Sequence, residues 1–503
     1  MSRVVSSNKF DGGMVNDPRM DGDSICRVSK GFDIFTYPYK LVPYNDSKNA
    51  DTSSSQNQIV NYQYANVSGT FTLFGLGVVS GGSLAKVFKT TSYSSPNWNN
   101  TNNSQSSGGG RSTDTFVYYR GYIYGLRGNV AIYKYDVTGN AAWTDTDQAL
   151  TYTTSAQGLV HSKDDILYIP YDNKIATNNA GSWTVAALTL PTSMIITSIC
   201  EYGNYLAIGV KNSDGISNSK VYLWDRNSSN STLSEVIDFG EGALTVLEQL
   251  GSYLIGISLL TSGVSNDRLV FRYYTGSGQS NELMRLVSST TTSYPLQMAK
   301  QKYKNRLYFS AAIVLNGVRQ QGIWSIGRNT ATGPFGITLE YITANNTVLT
   351  GQNYNFIIIN DYCIISYSDN SSNYAMSVTN DVSSYTTYTT VATYETVINP
   401  LQPESIRRSA GSRSNLKQLE AFAISTEPLT SGQSIVAKYR VDGGSWTTII
   451  SQSTTGTITT EAVRDSSGTA FTAGREYEFR FESTGGAQIT EYKYRYSTLE
   501  TFF

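Results

Sequence analysis

Residues able to do acid–base or nucleophilic chemistry are sparse in this chain. Its 503 residues contain a single histidine, His161. A Ser–His–Asp or Cys–His constellation needs a histidine beside the nucleophile, and no nucleophile motif surrounds any Ser or Cys. His161 opens a strand in a polar stretch and reads as a surface or turn histidine. Cys26, Cys200 and Cys363 lie far apart and are odd in number, which suggests neither a disulfide framework nor paired metal ligands. They fit assembly in a reducing cytoplasm. With one histidine and three scattered cysteines, a multi-ligand zinc site is also unsupported.

Paired carboxylates would suffice for glycoside hydrolysis. Asp164, Asp165, Glu201, Glu241, Asp267 and Asp361 are the candidates, but most sit at turn positions beside strands, where Asp is routine. The stretches Asn178–Thr184 and Asp442–Thr447 approach the Ser-x-Asp-x-Gly-x-Thr-Trp turn of sialidases without completing it, and both read as hairpins. Asp21-Gly22-Asp23 and Asn212-Ser213-Asp214-Gly215 are fragments of a calcium loop that lack the remaining ligands. The expectation is no catalytic residue, no metal and no cofactor: the chain is not an enzyme.

Those sparse groups sit in a composition suited to strands. Charged residues make up 15% of the chain and hydrophobic residues 39%, against about 25% charged in an ordinary soluble domain. Ser, Thr, Asn, Gly and 37 tyrosines fill the difference. Tyr and Thr favour pleated, half-buried strands, whereas Gly, Asn and Ser favour tight turns. Net charge is −1 with no long basic run, so nucleic acid is expected only as a passing contact should the protein line a channel. No stretch has the roughly 18 consecutive apolar residues of a membrane span, and the first residues lack an apolar signal core.

Short apolar strands recur from residue 60 to 400. They begin at positions 71, 122, 166, 205, 253, 306 and 362, spaced by 51, 44, 39, 48, 53 and 56 residues. Turn pairs such as Arg120-Gly121, Asp164-Asp165, Lys304-Asn305 and Asn360-Asp361 precede several of them. Such spacing matches four-stranded blades of about 40–50 residues, each opening on one of these strands. A ring of seven leaves no long open edge, although six or eight blades suit the same text. Tyr205 and Tyr253 should then be mostly buried, with Leu206 on the opposite face of its sheet.

The fold class is therefore all-β: a β-propeller of seven blades followed by a small C-terminal β-sandwich. Residues 1–58 are expected to form an extended arm and loop, 59–403 the propeller, 404–416 a linker and 417–503 the sandwich. Asp442-Gly443-Gly444 marks a hairpin in the last segment. The polar stretch 92–114 reads as a long loop between the first two blades. In the arm, Phe32, Phe35, Tyr37 and Tyr39 are too apolar to remain in water. They dock either on the chain's own domain or on a neighbouring subunit, and are the candidate assembly contacts.

Phe10-Asp11-Gly12-Gly13 with Asn16-Asp17, Lys30-Gly31-Phe32-Asp33-Ile34-Phe35 and Pro38-Tyr39-Lys40-Leu41-Val42-Pro43-Tyr44 resemble the opening of tailed-bacteriophage virion proteins that carry propellers. The chain is similar in outline to tail-hub, nozzle or minor tail proteins. That resemblance implies a virion location after assembly in the host cytoplasm, other virion proteins as partners, and a symmetric homo-oligomer around the tail axis. The alternative is a carbohydrate- or receptor-binding propeller module contacting a host surface glycan; a propeller glycosidase is a further alternative.

Overall fold

A computed structural model of the protein describes residues 2–8, 10, 13–14, 25–37, 39–44, 47–51, 57–79, 85–93, 99–100, 115–127, 131–139, 143–214, 218–229, 233–261, 267–288, 299–315, 317–328, 335–342, 355–368, 374–379, 391–396 and 416–499. No helix occurs among them. The chain divides into two compact units, residues 47–323 with 343–379, and residues 1–46 with 324–342 and 380–503.

The first unit is the propeller. Four of its sheets are each built from four consecutive strands in chain order, spanning 116–149, 159–189, 194–238 and 243–287. The first blade in chain order, 57–100, which makes the four just named the second to fifth, has Asn99–Asn100 as a short outer strand inside the expected loop, most of whose remaining residues lie outside the described ones. Lys300–Tyr303, Arg306–Leu315 and residues 318–323 contribute a sixth. The seventh contains Asn355–Ile359, Tyr362–Ser368 and Tyr374–Thr379, and its outermost strand is Ser47–Asp51 from far earlier in the chain. The seven inner strands touch one another in cyclic order, and Asn355–Ile359 returns to Asn57–Val67. The ring is closed.

Each apolar run singled out by the repeat is the second strand of its blade, not the first. Hairpin chemistry joins it to the inner strand. Ser68-Gly69, Arg120-Gly121, Lys304-Asn305 and Asn360-Asp361 all have two successive positive φ angles, the conformation whose twist matches that of paired strands. Asp164-Asp165 differs: it belongs to a longer turn between His161 and Ile166, closed by Asp165 N donating to His161 O at 3.0 Å.

The cores lie between blades. Along Tyr205–Asn212, Leu206, Ile208 and Val210 pack toward the third blade with Tyr168 and Ile175, while Tyr205 and Ala207 pack toward the fifth with Leu247 and Leu254. Leu206 thus occupies the face opposite Tyr205, as period-two geometry requires. Tyr205 and Tyr253 are half-buried, less than the sequence suggests, because each sits at the start of its strand beside the turn. Where blades approach closely, side chains are omitted. A Cβ on Gly256 would lie 2.6 Å from the Phe239 ring.

The second unit is a sandwich whose strands come from both ends of the chain. One sheet runs Ser2–Ser7, Ile489–Leu499, Leu416–Thr426, Thr459–Ala462. The other runs Gly336–Ile342, Ile25–Lys30, Ala392–Thr396, Tyr477–Thr484, Ser434–Val441, Thr447–Gln452. Aromatic rings fill the space between them: Phe422 lies 5.1 Å from Phe479, and Phe481 lies 4.9 Å from Tyr492.

The expected boundaries therefore need two corrections. Residues 417–503 do not complete the sandwich, and residues 1–58 are not a separate arm. Early residues satisfy sheet edges and core space that the C-terminal segment leaves open: Ser2–Ser7 pairs with Ile489–Leu499, and Phe10 packs 5.7 Å from Tyr394. The linker at 404–416 lies outside the described residues apart from Leu416, which begins a strand.

Candidate functional site

Inner strands of a propeller surround its axis, so the groups they project inward define the central space. Here that space is a cavity of about 620 Å³ lined by residues from all seven inner strands. Much of its polar lining ties neighbouring blades together. Lys300 Nζ donates to the Ile199 carbonyl at 3.0 Å, bonds the Leu247 carbonyl as well, and pairs with Glu248 Oε2 at 3.0 Å. One ammonium thereby links three consecutive blades. Gln301 does the same for the next pair: its Nε2 donates to Ile358 O at 2.8 Å and its Oε1 accepts from Ile358 N at 2.6 Å. Across the ring, Gln157 Oε1 accepts from Phe116 N at 3.3 Å. These bonds replace backbone pairing, which inner strands of adjacent blades cannot make, and leave buried donors satisfied.

Glu201 also lines the cavity, with one carboxylate oxygen accepting from Ser162 N at 2.6 Å and the other from Ser162 Oγ at 2.7 Å. The other carboxylate candidates are dispersed rather than paired with it. Asp165 holds Arg120 at 2.6 Å, Glu241 faces Arg285 at 3.7 Å, and Asp361 binds Tyr303 Oη at 2.7 Å together with the Lys304 ammonium. Asp267 supplies its carbonyl to Ser288 N at 2.7 Å. Their contacts lie on different blades, as expected of turn residues.

His161 is not on the surface: it is fully buried. Arg226 Nη1 lies 2.8 Å from its Nδ1 and 2.7 Å from its Nε2, and the same guanidinium meets Asp164 at 3.2 Å. Tyr168 donates to Asp164 at 3.0 Å. The polar stretch around His161 masked this burial, because its polarity belongs to the turn that follows while the imidazole itself enters the space between the third and fourth blades. Asn178–Thr184 is an ordinary hairpin with Gly181 N donating to Asn178 Oδ1 at 2.7 Å, and Asp442 lies in the turn between Ser434–Val441 and Thr447–Gln452. Asp21 to Asp23 fall outside the described residues, as does Gly215. Among the described residues, no three His, Cys, Asp or Glu side chains are grouped to hold a metal, and no helix is long and apolar enough to cross a membrane.

The four aromatic candidates separate into two pairs within the sandwich unit. Phe32 and Phe35 are buried in it, so in the folded chain they are core rather than docking side chains. Tyr37 and Tyr39 are 42% and 63% exposed. Their segment is anchored at both ends. Asp33 Oδ1 accepts from Phe35 N and Thr36 N at 2.9 and 3.0 Å, while Leu41 and Ile489 exchange backbone bonds of 2.8 and 3.1 Å. Lys40 spans the segment, its Nζ 5.2 Å from the Tyr37 ring and 3.0 Å from Gln488 Oε1.

No protein-family model matches the chain, and no curated protein matches it. Among solved structures it is similar to an exo-β-1,3-galactanase from Phanerochaete chrysosporium, with 10% identity and a TM-score of 0.28 over 76% of this chain and 95% of that one. It is also similar to the WD40 β-propeller domain of Doa1, with 10% identity and a TM-score of 0.38 over 67% of this chain and 98% of that one. At these values the likeness says nothing about activity.

Proposed function

We propose that the chain is a structural component of a tailed-phage virion, in the tail or neck, acting through protein–protein contacts. The observation that carries this is the anchored segment bearing Tyr37 and Tyr39, which lies within the N-terminal text that resembles phage virion proteins. Two tyrosines held outward between fixed ends offer apolar area and hydroxyls at little entropic cost, the combination enriched at protein interfaces. The cavity supports the same direction, since Lys300, Glu248 and Gln301 are engaged in holding blades together. No catalytic step belongs to this function.

Particles made from a phage genome encoding Tyr37→Ser with Tyr39→Ser should contain much less of the chain than wild-type particles, while the purified variant keeps its thermal transition. Immunolabelling of wild-type particles should mark the tail or neck. A chain absent from purified particles, or a double variant incorporated normally, would refute the proposal.

A further inference from the structure

One end of the central cavity differs from the rest of its lining. Four antiparallel strands return the chain to the end where a blade began, so successive inner strands run in the same direction and their late residues gather at one mouth. Gln63, Tyr64, Tyr118 and Lys302 belong to this group and line the cavity. Tyr64 is 47% exposed, Lys302 is exposed, and Gln63 and Tyr118 are half-buried. Among the described residues, the side chains of these four form no hydrogen bond or ion pair. Lys300, Glu248 and Gln301 in the same cavity are all engaged.

We infer that this mouth binds a carboxylated sugar. The cavity it opens, about 620 Å³ in all, falls within the roughly 300–1,000 Å³ of small-molecule sites. The Lys302 ammonium supplies a charge partner for a carboxylate. Tyr64 and Tyr118 offer flat apolar rings for the faces of a pyranose and hydroxyls for its edge. The Gln63 amide can donate to one sugar hydroxyl and accept from another. Glu201 fixes the class further: Ser162 holds both of its oxygens, yet each retains capacity to accept a hydroxyl proton. A bare phosphate would meet that carboxylate with like charge, whereas a ligand with one carboxylate and several hydroxyls can satisfy both Lys302 and Glu201.

The test uses the full chain, with N-acetylneuraminic acid and glucuronic acid as probes and glucose and inorganic phosphate as controls, read by calorimetry and saturation-transfer NMR. At least one acid should bind, about tenfold or more tighter than glucose, and more weakly as salt rises. Lys302→Ala should abolish the preference for the acid and Lys302→Arg should keep it. Tyr64→Ala should weaken the acid and glucose alike. All three variants should retain the wild-type thermal transition, since the replaced side chains are exposed. Failure of both acids to bind at millimolar concentration, binding indifferent to Lys302→Ala, or phosphate binding as well as the acids would each overturn the inference. None of these outcomes bears on assembly through Tyr37 and Tyr39.

Discussion

Tyr168 and Trp224 meet edge to face, 6.0 Å apart with their planes at 87°, between the third and fourth blades. Trp224 is fully buried there, and among the described residues its indole N–H has no hydrogen-bond partner. Its contribution is therefore packing. Trp224→Ala should destabilise the chain by about 3–5 kcal/mol. Trp224→Phe should cost clearly less, because it retains an aromatic edge and removes the unpaired donor. Chemical denaturation of both variants measures the difference.

Lys300 joins two carbonyls and Glu248 at a half-buried position. Replacing it with Met keeps the stem and leaves those acceptors without their donor. A loss of about 1–3 kcal/mol follows, and Lys300→Met with Glu248→Gln should lose less than the sum of the single changes, because the two positions interact directly. A double-mutant cycle in urea checks this.

Deleting residues 1–44 removes Ser2–Ser7 and Ile25–Lys30 from the two sheets of the sandwich, and Phe10 and Phe32 from its core. The sandwich transition in calorimetry should then disappear or fall sharply, while the strands of the ring, all later in the chain, remain present. An unchanged calorimetric profile would contradict the assignment of these residues to the core.

Alkaline pH should destabilise the chain. Burial pushes the Tyr477 hydroxyl from 10.0 up to about 12, and burial also raises Tyr62 and Tyr168, the latter raised further by the neighbouring Asp164 carboxylate. A tyrosine in the unfolded chain loses its proton first, so between about pH 10 and 12 the folded state holds more protons and stability falls as pH rises. The stabilisation is fully present below pH 10. Tyrosinate absorbance followed during alkaline titration should show a late, cooperative phase that coincides with loss of β-sheet circular dichroism.

Much of the propeller was legible because its second strands are covered on both faces by neighbouring blades. Tyr205–Asn212 and Tyr253–Leu260 consequently read as continuous apolar runs bounded by turns. The inner strand Lys300–Tyr303 is short and polar where it lines the cavity, which hid the start of its blade, whereas Met194–Tyr202 and Ala243–Leu250 are apolar inner strands joined by a tight turn to the equally apolar runs that follow. Glu201 was legible as a carboxylate, but nothing local identified Lys300 or Gln301 as links between blades. The Lys300-Gln301-Lys302 run ahead of the Lys304-Asn305 turn was the available signal. The sandwich was half legible: its C-terminal strands alternate, but the pairing of Val4 with Arg495 joins opposite ends of the sequence and leaves no local trace.

Closure of the last blade by Ser47–Asp51 imposes a delay on synthesis. The partner of that strand, Tyr374–Thr379, leaves the ribosome more than three hundred residues later. At about 5–20 residues per second this is roughly 15–65 s, during which six blades and the first two strands of the seventh can form while the strand that will lock them has nothing to pair with. A nascent chain stalled before residue 374 therefore carries an open ring with two unsatisfied edges, the form most exposed to pairing with another copy. The lock is made first and used last.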